Sequence, residues 1–271
     1  MKLKQWPIAL ALFLPLIGAW AKPLDHGDLV TLSTRPGVTQ SMFIESPSDN
    51  PPAVIVLYSG DDGAIRLDTT GATAYRGNFL IRTARFWVAH GDAAVLVDMP
   101  SDHADGAEDS FRRSAESLID QQAIVAELHK RFAHSKIVLV GTSRGTSSVG
   151  NVITRDPGLA DAYVLTSPVT IMTRKGFGVS DLKVPDAVRA RVLVVSNDHD
   201  QCGTAMYYGA KDLAKRDALT FITEDSNQGG RSREAECTGN SPHGFRGVER
   251  QTLEDINQWI KQTLTTVIDA H

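Results

Sequence analysis

A serine in a tight glycine-containing pattern is the first residue of this chain that could do chemistry. Ser143 is the centre of a Gly-x-Ser-x-Gly pattern over residues 141–145, directly after the apolar run 137–140. In such a turn the hydroxyl projects clear of the backbone, and glycine two residues to either side leaves room for the neighbouring strand and helix. Residues 146–154 can form that helix. The pattern therefore predicts a nucleophile elbow with Ser143 as nucleophile, although the same five residues also occur by chance in ordinary loops.

His243 and Asp200 have the types and positions of the base and acid that such a serine needs. His243 lies just before the last amphipathic helix, and Asp200 lies in the polar loop 197–202 after a predicted strand. The imidazole would take the proton of the Ser143 hydroxyl and return it to the leaving group, while the carboxylate would fix the imidazole tautomer and stabilise the imidazolium. Asp198, in the same loop, is the alternative acid.

The same loop also contains side chains of the types that bind metal ions. Asp198, His199 and Asp200 are successive residues. On an extended loop, three successive side chains cannot all face one ion, so we predict no metal site here. His103 also follows a predicted strand, and it is a candidate for lining the pocket.

Two backbone N–H groups are candidates for stabilising the negative charge that forms on the substrate oxygen. Arg144 follows the nucleophile, and Asp61 lies in the segment 58–63, where a glycine turn ends a predicted strand. N–H groups aimed at a developing oxyanion lower the barrier of acyl transfer, so we predict that Asp61 and Arg144 form the oxyanion hole. Asp62 is an alternative to Asp61, and the segment could also be a plain strand-to-helix loop.

These residues need a scaffold, and the apolar patterns of the chain predict an α/β fold. Runs such as 54–57 and 192–195 are apolar on successive residues, which is typical of parallel strands covered on both faces. Alternation of such strands with helices predicts a doubly wound, mostly parallel sheet of about eight strands, with functional groups at the carboxyl ends. An antiparallel hairpin is predicted at the N-terminus. The predicted strands cover residues 28–33, 38–45, 53–58, 93–98, 136–140, 162–166, 191–196 and 218–223.

Apolar residues at helical spacing predict two amphipathic helices in the chain. The first precedes the elbow strand and the second lies near the C-terminus. The apolar stripes are Phe111, Ala115, Leu118, Val125, Leu128 and Phe132, and then Leu253, Ile256, Ile260 and Leu264.

Residues 1–21 have the features of a secretory signal peptide. Two lysines precede the apolar run 8–17, and small residues at positions 19 and 21 precede Lys22. The apolar run is shorter than the roughly 20 residues of a spanning helix, and Pro15 interrupts it, which disfavours a membrane anchor. We therefore expect cleavage near position 21 and a single domain over residues 22–271, exported to the periplasm or the extracellular space.

The charge and the cysteines of the chain fit an exported protein. The formal net charge is −4, and removal of the two lysines of the signal peptide leaves 26 basic against 32 acidic side chains, or −6. Such a balance disfavours nucleic acid as a partner. No later apolar run is long enough to span a membrane, so no stable insertion is expected after cleavage. An oxidising compartment favours a disulfide between Cys202 and Cys237, with two reduced buried cysteines as the alternative.

The elbow, the segment Ser241-Pro242-His243-Gly244 and the chain order serine, aspartate, histidine resemble the α/β-hydrolase superfamily over residues 28 to 267. Among its branches the chain is most similar to small, secreted serine hydrolases without a large cap, such as esterases and dienelactone hydrolases. The resemblance implies the α/β-hydrolase fold, hydrolysis of a small carboxylic ester through an acyl-enzyme, and no cofactor. Many relatives carry His-Gly where this chain has Ser59-Gly60. Only about 20 residues lie between Pro168 and the next strand, which implies an open pocket shielded by the loop 227–240.

Other activities are compatible with the same three side chains. A peptidase, a thioesterase or an acyltransferase would use them in the same way, and a protein that had lost turnover would keep the fold as a binding module. The presence of all three residues argues against the binding module. Arg144, Arg231 and Arg233 could favour an acidic acyl group, although arginines on exposed loops are usually solvated.

Overall fold

A computed structural model describes residues 22–173, 176–230, 232 and 235–268 of the chain. The predicted signal peptide, Arg231 and Arg233 lie outside the described residues. No described helix is long and apolar enough to cross a membrane.

In the described residues, ten strands form one large sheet and one short ribbon. The large sheet has the order β1-β2-β6-β3-β7-β8-β9-β10, and the ribbon pairs β4 with β5. Pairings β1–β2 and β2–β6 are antiparallel, whereas the remaining neighbours in the large sheet are parallel. The strands are β1 (Asp28–Arg35), β2 (Val38–Glu45), β3 (Ala53–Tyr58), β4 (Leu67–Asp68), β5 (Gly71–Ala72), β6 (Ala93–Val97), β7 (Lys136–Thr142), β8 (Ala162–Thr166), β9 (Val192–Asn197) and β10 (Thr220–Glu224).

Helices cover both faces of the large sheet. Helices α4, α5 and α6 pack on one face and α1, α2 and α7 on the other, because successive residues of β3 contribute alternately to two separate apolar clusters. The helices are α1 (Phe79–Arg82), α2 (Arg85–Ala89), α3 (Asp109–Arg112), α4 (Ala115–Arg131), α5 (Gly145–Arg155), α6 (Tyr207–Asp217) and α7 (Glu249–Ile268), with 3₁₀ turns at Ser101–His103, Asp186–Arg191 and Pro242–Gly244.

The predicted fold class is confirmed: eight strands, mostly parallel, with an antiparallel hairpin at the N-terminus. All eight predicted strands are present. The last of them begins two residues later than predicted, because Ala218 takes a left-handed conformation (φ 53°) that ends α6. The elbow helix α5 starts at Gly145, one residue before the predicted start.

The apolar stripe predicted before the elbow strand holds only in part: Phe111 lies in α3 rather than α4, whereas Leu118 packs against the core. Ala115 is exposed, and the inward face of the first half of α4 carries Ser117, Asp120 and Gln121. Asp120 is buried because Arg35, at the end of β1, donates to both of its carboxylate oxygens at 2.9 Å. A buried ion pair satisfies both charges, which an apolar pattern cannot reveal.

Candidate active site

Ser143 occupies a strained turn between β7 and α5. Its φ is 52°, in the left-handed region that non-glycine residues rarely adopt. A Cβ on Gly141 would lie 2.6 Å from the Gly145 carbonyl oxygen, and one on Gly145 would lie 2.1 Å from the Tyr58 carbonyl oxygen. The Ser143 N–H donates to the Thr166 carbonyl at 3.0 Å. The two glycines therefore have the role predicted for them, since any side chain there would push the turn out of this position.

Asp200 and His243 lie next to each other at the carboxyl end of the sheet. The His243 Nδ1–H donates to Asp200 Oδ2 at 2.8 Å, and both side chains are almost fully buried. The second oxygen, Asp200 Oδ1, accepts the N–H of Cys202 at 2.9 Å. Because a carboxylate can only accept, the proton of the neutral imidazole is held on Nδ1 and Nε2 keeps its lone pair.

The second nitrogen of this imidazole, Nε2, is not hydrogen-bonded to Ser143 in this structure. His243 Nε2 is buried and has no hydrogen-bond partner among the described residues. His243 and Ser143 line the same cavity, which has a volume of about 260 Å³ and also contains Gly60, Asp61 and Thr238. A buried acceptor without a partner is costly unless a donor reaches it, so this arrangement suits a hydroxyl that approaches Nε2 during reaction.

Of the two candidate acids, Asp200 is the one placed against the imidazole. Asp198 is exposed, and its carboxylate lies 3.5 Å from Nε2 of His199, which is also 3.3 Å from Asp225. The difference arises in the loop backbone: the Asp200 N–H donates to the Asn197 carbonyl at 3.0 Å, which turns the Asp200 side chain inward.

The segment that follows β3 passes directly beside the elbow. A Cβ on Gly60 would lie 2.9 Å from the Ser143 Cβ, so only glycine permits this approach. Asp61 lines the cavity and has a φ of 54°. Asp62 does not line the cavity, and its carboxylate accepts the hydroxyl of Tyr75, a lining residue, at 2.7 Å. Of the two candidate residues, Asp61 is the one that lines the same cavity as Ser143.

The predicted disulfide is present between Cys202 and Cys237. It joins the loop of Asp200 to the loop that precedes His243, and Cys237 itself lines the cavity. The covalent link therefore connects the two loops that carry the hydrogen-bonded pair.

Two arginines that the sequence analysis did not single out, one buried and one partly exposed, hydrogen-bond to segments around the cavity. Arg112 donates to the carbonyls of Ser59 (3.4 Å) and Asp61 (3.2 Å), and Arg82 donates to those of Gly77 and Gly244, each at 2.6 Å. Burial, followed by the nearby charge of Arg144, lowers the pKa of Arg112 to about 10, so it stays protonated at neutral pH. Nothing in the local sequence marks these arginines, because their acceptors are main-chain carbonyls, three of the four of them distant in the chain.

Two other candidate contacts lie away from the cavity. His103 stacks on Phe111, with ring centroids 3.8 Å apart, and does not line the cavity. The Arg144 side chain donates to Asp109 Oδ1 at 3.4 Å and to the Ala107 carbonyl at 3.3 Å, and it is not among the lining residues. Its guanidinium is thus engaged with the segment before α3 rather than with a ligand in the cavity.

The sequence matches no protein-family model and no curated protein. Solved structures nevertheless share its fold. The chain is similar to the α/β serine hydrolase without a lid from Xanthomonas campestris, with 14% identity and a TM-score of 0.56 over 84% of this chain and 94% of that one. An esterase from Pyrococcus furiosus is 11% identical, with a TM-score of 0.59 over 88% of this chain and 93% of its own.

A peptidase shares the same architecture. Acylaminoacyl peptidase is 12% identical, with a TM-score of 0.57 over 86% of this chain and 41% of the peptidase chain. Together with the sheet order and the elbow, these similarities show that the chain has the α/β-hydrolase fold.

Proposed function

We propose that this chain is a serine hydrolase that cleaves small carboxylic esters through an acyl-enzyme, with Ser143 as nucleophile, His243 as base and Asp200 as the acid. One observation carries the proposal. The His243 imidazole is hydrogen-bonded through Nδ1 to the buried Asp200 carboxylate, its Nε2 is buried without a partner, and His243 lines the same cavity as Ser143.

The roles follow from the proton positions. With the proton held on Nδ1 by Asp200, Nε2 of His243 accepts the Ser143 proton as Oγ attacks the ester carbonyl. The imidazolium then gives that proton to the departing alcohol, which leaves an acyl group on Ser143. Water attacks this acyl group by the same route and releases the acid. Asp200 stabilises the imidazolium in both steps because its charge is buried and directed at Nδ1.

The substrate oxygen becomes negative twice in this cycle, and the N–H groups of Asp61 and Arg144 are proposed to bind it. Arg144 is the residue after the nucleophile and stands at the start of α5, where backbone N–H groups are not used within the helix. The approach of Gly60 to Ser143 brings the Asp61 segment to the same place. Loss of one such donor costs about 3 kcal/mol in a well-studied protease.

The cavity favours short acyl groups. Its volume of about 260 Å³ lies below the range of roughly 300–1,000 Å³ typical of drug-sized ligand pockets. Esters of acetate to butyrate are therefore expected to be better substrates than esters of long fatty acids.

Labelling with a fluorophosphonate probe tests the nucleophile. The wild-type chain should be labelled, Ser143→Ala should not, and Ser101→Ala, which changes an exposed serine, should be labelled like the wild type. Turnover of p-nitrophenyl acetate should fall at least about 10³-fold in Ser143→Ala.

Activity on a second set of substrates distinguishes hydrolysis of esters from hydrolysis of amides. Faster cleavage of peptide p-nitroanilides than of p-nitrophenyl esters would overturn the ester assignment in favour of a peptidase, the activity of one of the similar structures. Absence of labelling in the wild type would overturn the enzyme proposal and favour a binding protein with this fold.

A further inference from the structure

We propose that Asn78 is a catalytic residue whose side-chain amide donates a hydrogen bond to the oxyanion formed when Ser143 attacks an ester. This inference rests on the proposed function, and it adds a side-chain donor to the two backbone N–H groups of Asp61 and Arg144. Asn78 immediately precedes α1 and lines the same cavity as Ser143 and His243.

The orientation of the Asn78 amide is fixed by a hydrogen bond at one end. The Leu80 N–H donates to Asn78 Oδ1 at 3.0 Å. Because a backbone N–H can only donate, the side-chain atom that faces Leu80 must be the oxygen, and the other must be the nitrogen with its two N–H donors. Within the described part of the chain, Nδ2 of Asn78 has no hydrogen-bond acceptor. Its donors are thus available to a ligand.

The position of this nitrogen is beside the nucleophile. Asn78 Nδ2 lies 3.4 Å from the point that a Cβ on Gly60 would occupy, and the Ser143 Cβ lies 2.9 Å from that same point. Because both distances are measured from the same point, Asn78 Nδ2 is at most about 6.3 Å from the Ser143 Cβ. A substrate oxygen bound at the serine can therefore also reach the Asn78 amide.

The Asn78 backbone is held on both sides, so the amide needs little rearrangement. The Asn78 N–H donates to the Tyr75 carbonyl at 2.7 Å, and the Arg82 N–H donates to the Asn78 carbonyl at 3.0 Å. The Arg82 side chain also binds the carbonyl of the preceding residue, Gly77. A donor fixed before the reaction stabilises developing charge more than one that must reorient.

A purely structural role for Asn78 predicts different behaviour and can be separated by substitution. Asn78→Ser and Asn78→Asp both keep an oxygen that can accept the Leu80 N–H, but neither has the amide N–H. If Asn78 only caps α1, both variants should keep the wild-type kcat. If it donates to the oxyanion, kcat should fall about 10²-fold in Asn78→Ser with little change in KM. Asn78→Asp should lose more, because its carboxylate repels the oxyanion.

The measurement is kcat and KM for p-nitrophenyl acetate, together with inhibition by a trifluoromethyl ketone, which forms an oxyanion adduct with a serine nucleophile. Ketone binding should weaken in Asn78→Ser by a factor similar to the loss of kcat. Ser114→Ala is the control, since it removes the corresponding cap bond of α4 (3.0 Å to the Ser117 N–H) and should change stability but not kcat.

The outcomes separate this inference from the proposed function. Wild-type kcat and ketone inhibition in Asn78→Ser would overturn the role of Asn78 and leave the serine hydrolase intact. A wild-type chain that neither reacts with a fluorophosphonate nor hydrolyses an ester would overturn both.

Discussion

Two carboxylates only two residues apart in the chain experience opposite environments. Asp200 is buried and receives hydrogen bonds from His243 and from the Cys202 N–H, whereas Asp198 is exposed beside His199. A charge in water is already solvated, so a nearby imidazole adds little to Asp198. The buried charge of Asp200 depends on its two donors, and in return it orients the imidazole strongly.

This contrast gives a matched pair of variants. Asp200→Asn keeps the size of the side chain but can hold the imidazole in the wrong tautomer, so kcat for p-nitrophenyl acetate should fall by about 10⁴, as in a serine protease with the corresponding change. Asp198→Asn should stay within about twofold of the wild type, because surface charges contribute little. An equal loss in both variants would contradict the assignment of Asp200.

The sequence marks the residues whose chemistry depends on a local pattern and misses those defined by approach in space. Ser143 is identifiable because its turn needs glycine on both sides, and His243 because it follows the last strands of an alternating pattern. Arg112 binds main-chain carbonyls about 50 residues away, and Asn78 reaches the surroundings of Ser143 from a distant part of the chain. Only the packed structure brings them to the cavity.

At the scale of elements, continuous apolar strands are predictable, but helix faces and helix ends are less so. The strands β3 and β8 begin and end where they were predicted, because every residue of both strands is buried. The inward face of α4 instead begins with polar residues that serve Arg35, and the end of α6 depends on the left-handed backbone of Ala218. Both features depend on partners or on strain that hydrophobic periodicity does not encode.

The disulfide connects two of these elements, and its removal should affect both stability and catalysis. Cys202→Ser/Cys237→Ser opens a loop with a sequence separation of 35, which should lower the free energy of unfolding by about 2–4 kcal/mol. Since the Cys202 N–H also holds Asp200, kcat should fall several-fold even where the variant is folded. Urea unfolding and kcat for p-nitrophenyl acetate measure the two effects.

Reduction of the wild type provides the control for this variant. Dithiothreitol should lower the stability and kcat of the wild-type chain to those of the double variant, and it should leave the double variant unchanged. A kcat that is the same with and without the bond would contradict the positioning role and leave only the contribution to stability.

For the whole molecule, the disulfide between Cys202 and Cys237 accords with the expected export. Export itself remains a prediction, because residues 1–21, the predicted signal peptide, lie outside the described residues. Inside the folded domain, Glu224 is a buried acidic group without a salt-bridge partner among the described residues. Glu224, at the end of β10, faces Thr252 and Asp255 of α7, and its Oε1 has no hydrogen-bond partner there.

Glu224 should make the stability of the folded chain depend on pH. Burial, reinforced by the charge of Asp255, raises the pKa of Glu224 from its ordinary 4.5 to about 7. Between pH 4.5 and about pH 7, the Glu224 carboxyl of the folded chain binds more protons than that of the unfolded chain. The contribution of Glu224 to the free energy of unfolding therefore falls as pH rises and stays low above pH 7.

Glu224→Gln removes the titration. The variant should match the wild type near pH 4.5 and exceed its free energy of unfolding by about 2 kcal/mol near pH 8. Urea unfolding at both pH values measures this difference, and Glu108→Gln, at an exposed position, should show none. A difference between Glu224→Gln and wild type that did not grow with pH would show that the Glu224 carboxyl is ionised in the folded chain throughout this range.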